Sequence, residues 1–111
     1  MKRKYGNRKV VIDGITFDSE REGTRYQKLK LLERAGQITD LELQPRFELI
    51  PKQRRSDGKA ERSCEYVADF RYTDTATGQT VIEDAKGMRT RDYIMKRKLM
   101  LQVHGISVRE V

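Results

Sequence analysis

The sequence predicts an α+β protein: a central mixed β-sheet flanked by helices, with an αβββαβ core preceded by a β-hairpin. Three observations carry that prediction. Segments around residues 38–50, 64–72 and 79–85 alternate or run apolar with strand periodicity. Two other stretches show helical spacing and stop at a glycine, Gly36 and Gly105. The length, 111 residues, suits one compact domain spanning 1–111.

Taken in order, residues 1–9, "MKRKYGNRK", are basic and expected to be mobile at the start. No apolar run follows them, so they do not read as a signal peptide. "KVVIDGITF" reads as a hairpin turning at Asp13-Gly14. "DSEREGTRYQKLKLLERAG" reads as a helix with Ser19 as N-cap and Gly36 just past the end. Tyr26, Leu29, Leu32 and Ala35 recur at helical spacing and predict its buried stripe, while Gly23 weakens the first turn. "ITDLELQPRFELI" reads as one alternating strand. Leu41, Leu43, Phe47 and Leu49 share one face, Gln44, Arg46 and Glu48 the other, and Pro45 marks a bulge or an edge. Residues 51–63, "PKQRRSDGKAERS", read as a polar, positively charged loop. "CEYVADFRY" and "QTVIEDA" are the next strands, joined through "TDTATG". A second helix is expected from about Thr90 to His104, ended by Gly105, and "ISVREV" as a short last strand.

Lysine and arginine number 24 against 17 acids, a net charge of +7. That excess favours a polyanionic partner, nucleic acid first, over a merely solubilising surface. No run approaches the ~18 apolar residues of a membrane span. The single cysteine, Cys64, excludes an internal disulfide and fits a reducing compartment, so a cytoplasmic location is expected. With 36% hydrophobic and 37% charged residues the core is small, and a second copy of the chain could add burial.

The chemistry centres on "VIEDAKG". Strand alternation puts Asp84 and Lys86 on one face and Glu83 on the other. Asp69 falls in mid-strand in "YVADFRY", a costly place for a carboxylate without a partner. If the two strands pair through "TATG", Asp69 and Asp84 face one another, because their positions average to the middle of that turn. Two close carboxylates repel unless something positive lies between them. Lys86 is one candidate and a hard divalent cation another. The plain alternative is a salt-bridge ladder across a hairpin. The triplet alone is weak evidence, since Asp57-Gly58-Lys59 repeats it inside a turn. Glu22 also has two readings. Ser19-x-x-Glu22 is a capping box, and Glu22 could equally be a third carboxylate of the cluster.

Together these residues resemble the PD-(D/E)xK nuclease superfamily, whose core is a helix, three strands, a helix and a further strand, the restriction-endonuclease-like fold. More closely, "FDSEREGTRYQKLKLLERAGQITDLELQPRFEL", "YVADFRY" and "VIEDAKGMRTRDYIMKRKLM" resemble small phage and prophage proteins of the DUF1064 type, some described as phage endonucleases. The pattern is also similar to the nuclease subunit of a Tn7-like transposase. The resemblance implies Glu22, Asp69, Asp84 and Lys86 as catalytic residues. It implies Asp69, Asp84, Ala85 and Glu22 as the metal set, for Mg²⁺ with Mn²⁺ as a substitute. Ala68 stands where the superfamily has proline, a backbone preference rather than a ligand.

Arg89, Arg91, Lys96, Arg97 and Lys98, with Gln44, are the expected DNA contacts. Tyr93 is read as packing, and His104 as a helix-end residue favoured by the dipole rather than a general base. The expectation is a homodimeric, Mg²⁺-dependent phage DNA endonuclease acting on branched DNA such as a Holliday junction. The alternatives are a nicking or double-strand endonuclease of phage replication or packaging, and a non-catalytic nucleic-acid-binding protein. No membrane and no small-molecule cofactor is expected.

Overall fold

The structure, a computed structural model, describes residues 8–111. The expected mobile N-terminus falls mostly on residues 1–7 and so lies outside the described residues. The first two strands, β1 (Val10–Ile12) and β2 (Ile15–Phe17), form the predicted hairpin. Asp13 and Gly14 turn it with φ of 54° and 75°, the two positive values a two-residue turn of this kind needs. The first helix, α1 (Glu20–Arg34), starts at Ser19, whose Oγ accepts the Glu22 N–H at 3.1 Å, and Gly36 leaves it at φ 75°. Tyr26 and Leu29 are buried and Leu32 partly so, whereas Ala35 is exposed at the C-cap. Gly23 has a packing reason. A Cβ there would lie 2.7 Å from Val10 Cγ2 and 2.9 Å from Ile12 Cδ1, so its absence lets the hairpin rest on the helix.

The main sheet runs β10 (Arg109–Glu110), β9 (Thr80–Asp84), β8 (Phe70–Asp74), β3 (Ile38–Leu43). β10 is parallel to β9 and the other pairs are antiparallel, giving the mixed sheet expected. The second helix, α2 (Arg91–His104), is capped by Thr90 and ends at Gly105, with φ 69°. His104 Nε2 sits 2.7 Å from the Glu48 carbonyl and its ring lies edge-on to Phe47, so it tethers the helix end. Among the described residues no helix is long and apolar enough to cross a membrane.

Two expectations are corrected. Residues 38–50 and 64–72 are not single strands. Beyond β3 the chain re-forms as β4 (Arg46–Ile50), and before β8 as β7 (Cys64–Val67), which pairs with β4. The two breaks lie opposite each other. Gln44 N–H donates to the Asp69 carbonyl at 2.9 Å, and Ala68 N–H to the Pro45 carbonyl at 3.1 Å. Pro45 has no N–H for the ladder, and Gln44 takes a left-handed φ of 51°. The corner switches the apolar face. Leu41, Leu43, Phe70 and Tyr72 pack with Tyr26 and Leu29 of α1. Phe47, Leu49, Tyr66 and Ala68 pack instead with Tyr93 and Met100 of α2. Asp69 therefore sits at a corner, not in mid-strand.

Residues 51–63 are not a loop. They extend the β4–β7 pair as a ribbon, β5 (Gln53–Arg54) against β6 (Ala60–Glu61), turned at Gly58 with φ 86°. The radius of gyration is 16.3 Å, against about 13 Å for a compact chain of this length. The projecting ribbon accounts for an excess of this kind.

Candidate active site

β9 ends at a point that both helix N-termini approach. Its register with β8 pairs Phe70 with Glu83, and one step further places Asp69 beside Asp84. Asp69 N–H donates to the Glu83 carbonyl at 3.1 Å, and Ala85 N–H donates to Asp69 Oδ2 at 2.7 Å. Alternation then sends the two acids of β9 to opposite faces.

Glu83, on the α1 face, is 0% exposed. Arg25 Nε and Nη2 reach its two carboxylate oxygens at 2.8 and 2.6 Å. The Tyr72 hydroxyl donates to it as well, and Arg109 Nη1 stands 3.9 Å away. Asp84, on the α2 face, is 1% exposed. The Tyr66 hydroxyl donates to its Oδ2, while its Oδ1 is buried with no hydrogen-bond partner among the described residues. Lys86 Nζ lies 3.6 Å from that oxygen, an ion-pair distance too long for a hydrogen bond. The same ammonium sits 4.6 Å from the centre of the Tyr93 ring. Burial, then the Asp84 hydrogen bond, raises the Tyr66 pKa, so that hydroxyl remains a donor.

The other acids respond to the crowding. Burial first, then a hydrogen bond to Asp84 and the charge of that acid, push the Asp69 carboxyl up to about 8, against the bond from the Ala85 amide. Burial, followed by the charge of Asp18, raises Glu22 above the ordinary carboxylate value, with Asp84 adding to it. Ser19 caps the Glu22 amide, but no return bond from the Glu22 carboxylate to the Ser19 amide is present, so the capping box is half formed.

In front of these groups lies a cleft of about 390 Å³, lined among others by Ser19, Arg21, Glu22, Asp69, Ala85, Lys86 and Thr90. Asp84 sits behind this lining. Ser19 and Thr90 are the two helix N-caps, and helix N-termini carry the positive end of the macrodipole.

Among the described residues no three His, Cys, Asp or Glu side chains form a ready metal cage. A Mg²⁺ ion does not require one, since it commonly takes one or two carboxylates and keeps several waters. Asp69, Asp84 and the Ala85 carbonyl are a hard-oxygen set of that kind. An unpartnered buried carboxylate oxygen beside a second carboxylate is what such an ion would answer.

The expected DNA contacts scatter. Arg89 and Arg97 close on Glu110 at 2.9 and 3.0 Å, where the Tyr93 hydroxyl joins them at 2.8 Å. Lys96 pairs with Asp92 at 3.6 Å. Arg91 and Lys98 are exposed and make no ion pair among the described residues. Gln44 is exposed, and its backbone supports Asp69. Sequence reasoning gave no role to Arg25, Arg21, Tyr66 or Tyr72. Tyr66 and Tyr72 could have been found, because a buried hydroxyl needs a partner and the neighbouring strand offers two acids. Arg25 carries no local signal.

A family model described as "Protein of unknown function (DUF1064)" matches residues 2–109, so the chain belongs to that family. No curated protein and no solved structure matches it.

Proposed function

We propose that this DUF1064 protein is a metal-dependent DNA endonuclease of the PD-(D/E)xK superfamily, with the restriction-endonuclease-like fold. One observation carries the reading: among the described residues Asp84 Oδ1 is buried without a hydrogen-bond partner, beside Asp69 and 3.6 Å from Lys86, at the back of an open cleft. Asp69, Asp84 and the Ala85 carbonyl would hold Mg²⁺, or Mn²⁺ in its place. Such an ion, when bound, polarises a phosphodiester and makes water a better nucleophile.

The chain's own groups do the rest. The N-termini of α1 and α2, with Arg21, draw the anionic phosphodiester into the cleft. Lys86 Nζ has no hydrogen bond to Asp84 to break, so it can donate to a phosphate oxygen or orient an attacking water. The Glu22 carboxylate lines the same cleft and can accept a proton or a hydrogen bond from that water. Tyr66 keeps Asp84 in one rotamer by its bond to Oδ2. Branched DNA is the proposed substrate, with two copies of the chain supplying one site for each strand.

The test is cleavage of labelled linear, single-stranded and branched DNA with Mg²⁺, with Mn²⁺ and with EDTA. Wild-type protein is expected to cut in metal only, and Asp84→Asn not at all. Wild-type protein that cuts none of these substrates in either metal overturns the reading.

A further inference from the structure

The ribbon at residues 51–63 has a charge pattern that the cleft does not explain. One register runs through it, pairing Ile50 with Cys64, Gln53 with Glu61 and Arg54 with Ala60. Pro51 interrupts the hydrogen bonds but not this alignment, which sets Lys52 opposite Arg62. Residues opposite or two apart share a face. Lys52, Arg54 and Arg62 thus share one face with Ala60, and Gln53, Arg55, Lys59 and Glu61 lie on the other.

Both acids of the ribbon are held on that second side by Arg55, Asp57 at 3.1 Å and Glu61 at 3.6 Å. Arg54 donates one N–H to the Gly58 carbonyl at 2.9 Å, which orders its guanidinium without neutralising it. The first face therefore carries three cations and no acid. Every residue from 50 to 63 is exposed, so nothing among the described residues covers it. Like charges directly opposite destabilise a ribbon. Lys52 facing Arg62 is such a pair, and an external polyanion relieves it.

We propose that the Lys52, Arg54 and Arg62 face binds the phosphate backbone of duplex DNA. The position of that contact rests on the nuclease reading above. At ~3.3 Å per residue, these cations stand roughly 20–30 Å along the strands from Asp69, just under one duplex turn of ~34 Å. The ribbon then holds the duplex up to one turn away from the phosphodiester in the cleft.

The experiment is fluorescence anisotropy on a labelled duplex of about three helical turns, in EDTA, across a salt series. The variants are Lys52→Gln/Arg54→Gln/Arg62→Gln and, from the opposite face, Arg55→Gln/Lys59→Gln. For the first, the slope of log affinity against log salt is expected to flatten by about 2–3 units, and affinity at low salt to fall at least about tenfold. The second is expected to flatten it by less than about one unit. An unchanged slope in the triple variant, an equal loss in the opposite-face variant, or no duplex binding by wild-type protein overturns the proposal. Binding here does not depend on cutting. A wild-type protein that cuts nothing, with a triple variant that loses duplex binding, sinks the nuclease reading and leaves the ribbon proposal standing.

Discussion

Glu83 and Asp84 are neighbours on one strand, both essentially out of contact with solvent, yet their surroundings are opposites. On the α1 face, Glu83 receives a two-pronged guanidinium, a tyrosine hydroxyl and the field of a second arginine. On the α2 face, Asp84 receives one tyrosine hydroxyl and, while Asp69 keeps its proton, the hydrogen bond of that neighbouring acid; among the described residues no N–H or tyrosine hydroxyl reaches its Oδ1. Burial alone does not separate the two acids. Saturation of their oxygens does. A saturated buried acid holds a fold together, and an unsaturated one beside a cleft is a place for chemistry.

The largest effect expected from breaking this contrast is in stability. Arg25→Ala leaves Glu83 buried without its fork and should cost about 3–5 kcal/mol. Asp84→Asn removes a charge already short of partners. It should cost under about 1 kcal/mol or raise stability in the absence of metal, while abolishing divalent-ion binding. Urea denaturation and calorimetric titration with Mg²⁺ or Mn²⁺ read both quantities. An Asp84→Asn protein as damaged as Arg25→Ala would erase the distinction.

A smaller effect sharpens it. Tyr66 and Tyr72 are a matched pair, each giving a hydroxyl to one of the two acids. Tyr72→Phe should lower stability by about 1–2 kcal/mol and leave metal affinity alone. Tyr66→Phe should weaken divalent-ion binding by about 10–100-fold. Titration of both variants side by side checks the crossover. Equal metal affinity in the two would show that Tyr66 does not position Asp84.

A third effect is in pH dependence. Asp69 holds its proton to about 8, against an ordinary 3.8, so the folded state binds that proton more tightly than the unfolded one. The resulting stabilisation is complete below about 3.8 and is lost as pH rises through about 8. Metal-free protein should therefore lose melting temperature as pH rises across that window, and Asp69→Asn should flatten the trend. Thermal melts in EDTA over a pH series decide it, and parallel curves for the two proteins would contradict the assignment.

Most of the frame was legible because its signals are local. Asp13-Gly14, the Ser19 cap, Gly36 and Gly105 act within a few residues, and the turn at residues 74–79 fixes a register that carries Asp69 to Asp84. The corner was not legible. Apolar spacing runs on unbroken through Gln44-Pro45 and through Ala68-Asp69, so counting by twos cannot register a face switch that occurs on both strands at once. The ribbon escaped for the opposite reason. Residues 51–63 bury nothing, so apolar periodicity says nothing about them, and only Asp57-Gly58 hinted at a turn. In the site, Glu22, Asp69 and Lys86 could be picked out as short motifs. The Arg25–Glu83 clamp joins residues 58 apart, and the gathering of Arg89 and Arg97 on Glu110 depends on where β10 pairs. No window of sequence contains either.

The corner at Asp69 makes this residue a mechanical joint. Its carbonyl accepts from Gln44 at the root of the ribbon, its amide donates to β9, and its carboxylate accepts from Ala85 at the cleft. The ribbon is a lever of roughly 30 Å by its strand count, and Asp69 stands at the fulcrum. The residue that offers its carboxylate to the cleft is thus also the one that ties the root of the ribbon to the main sheet.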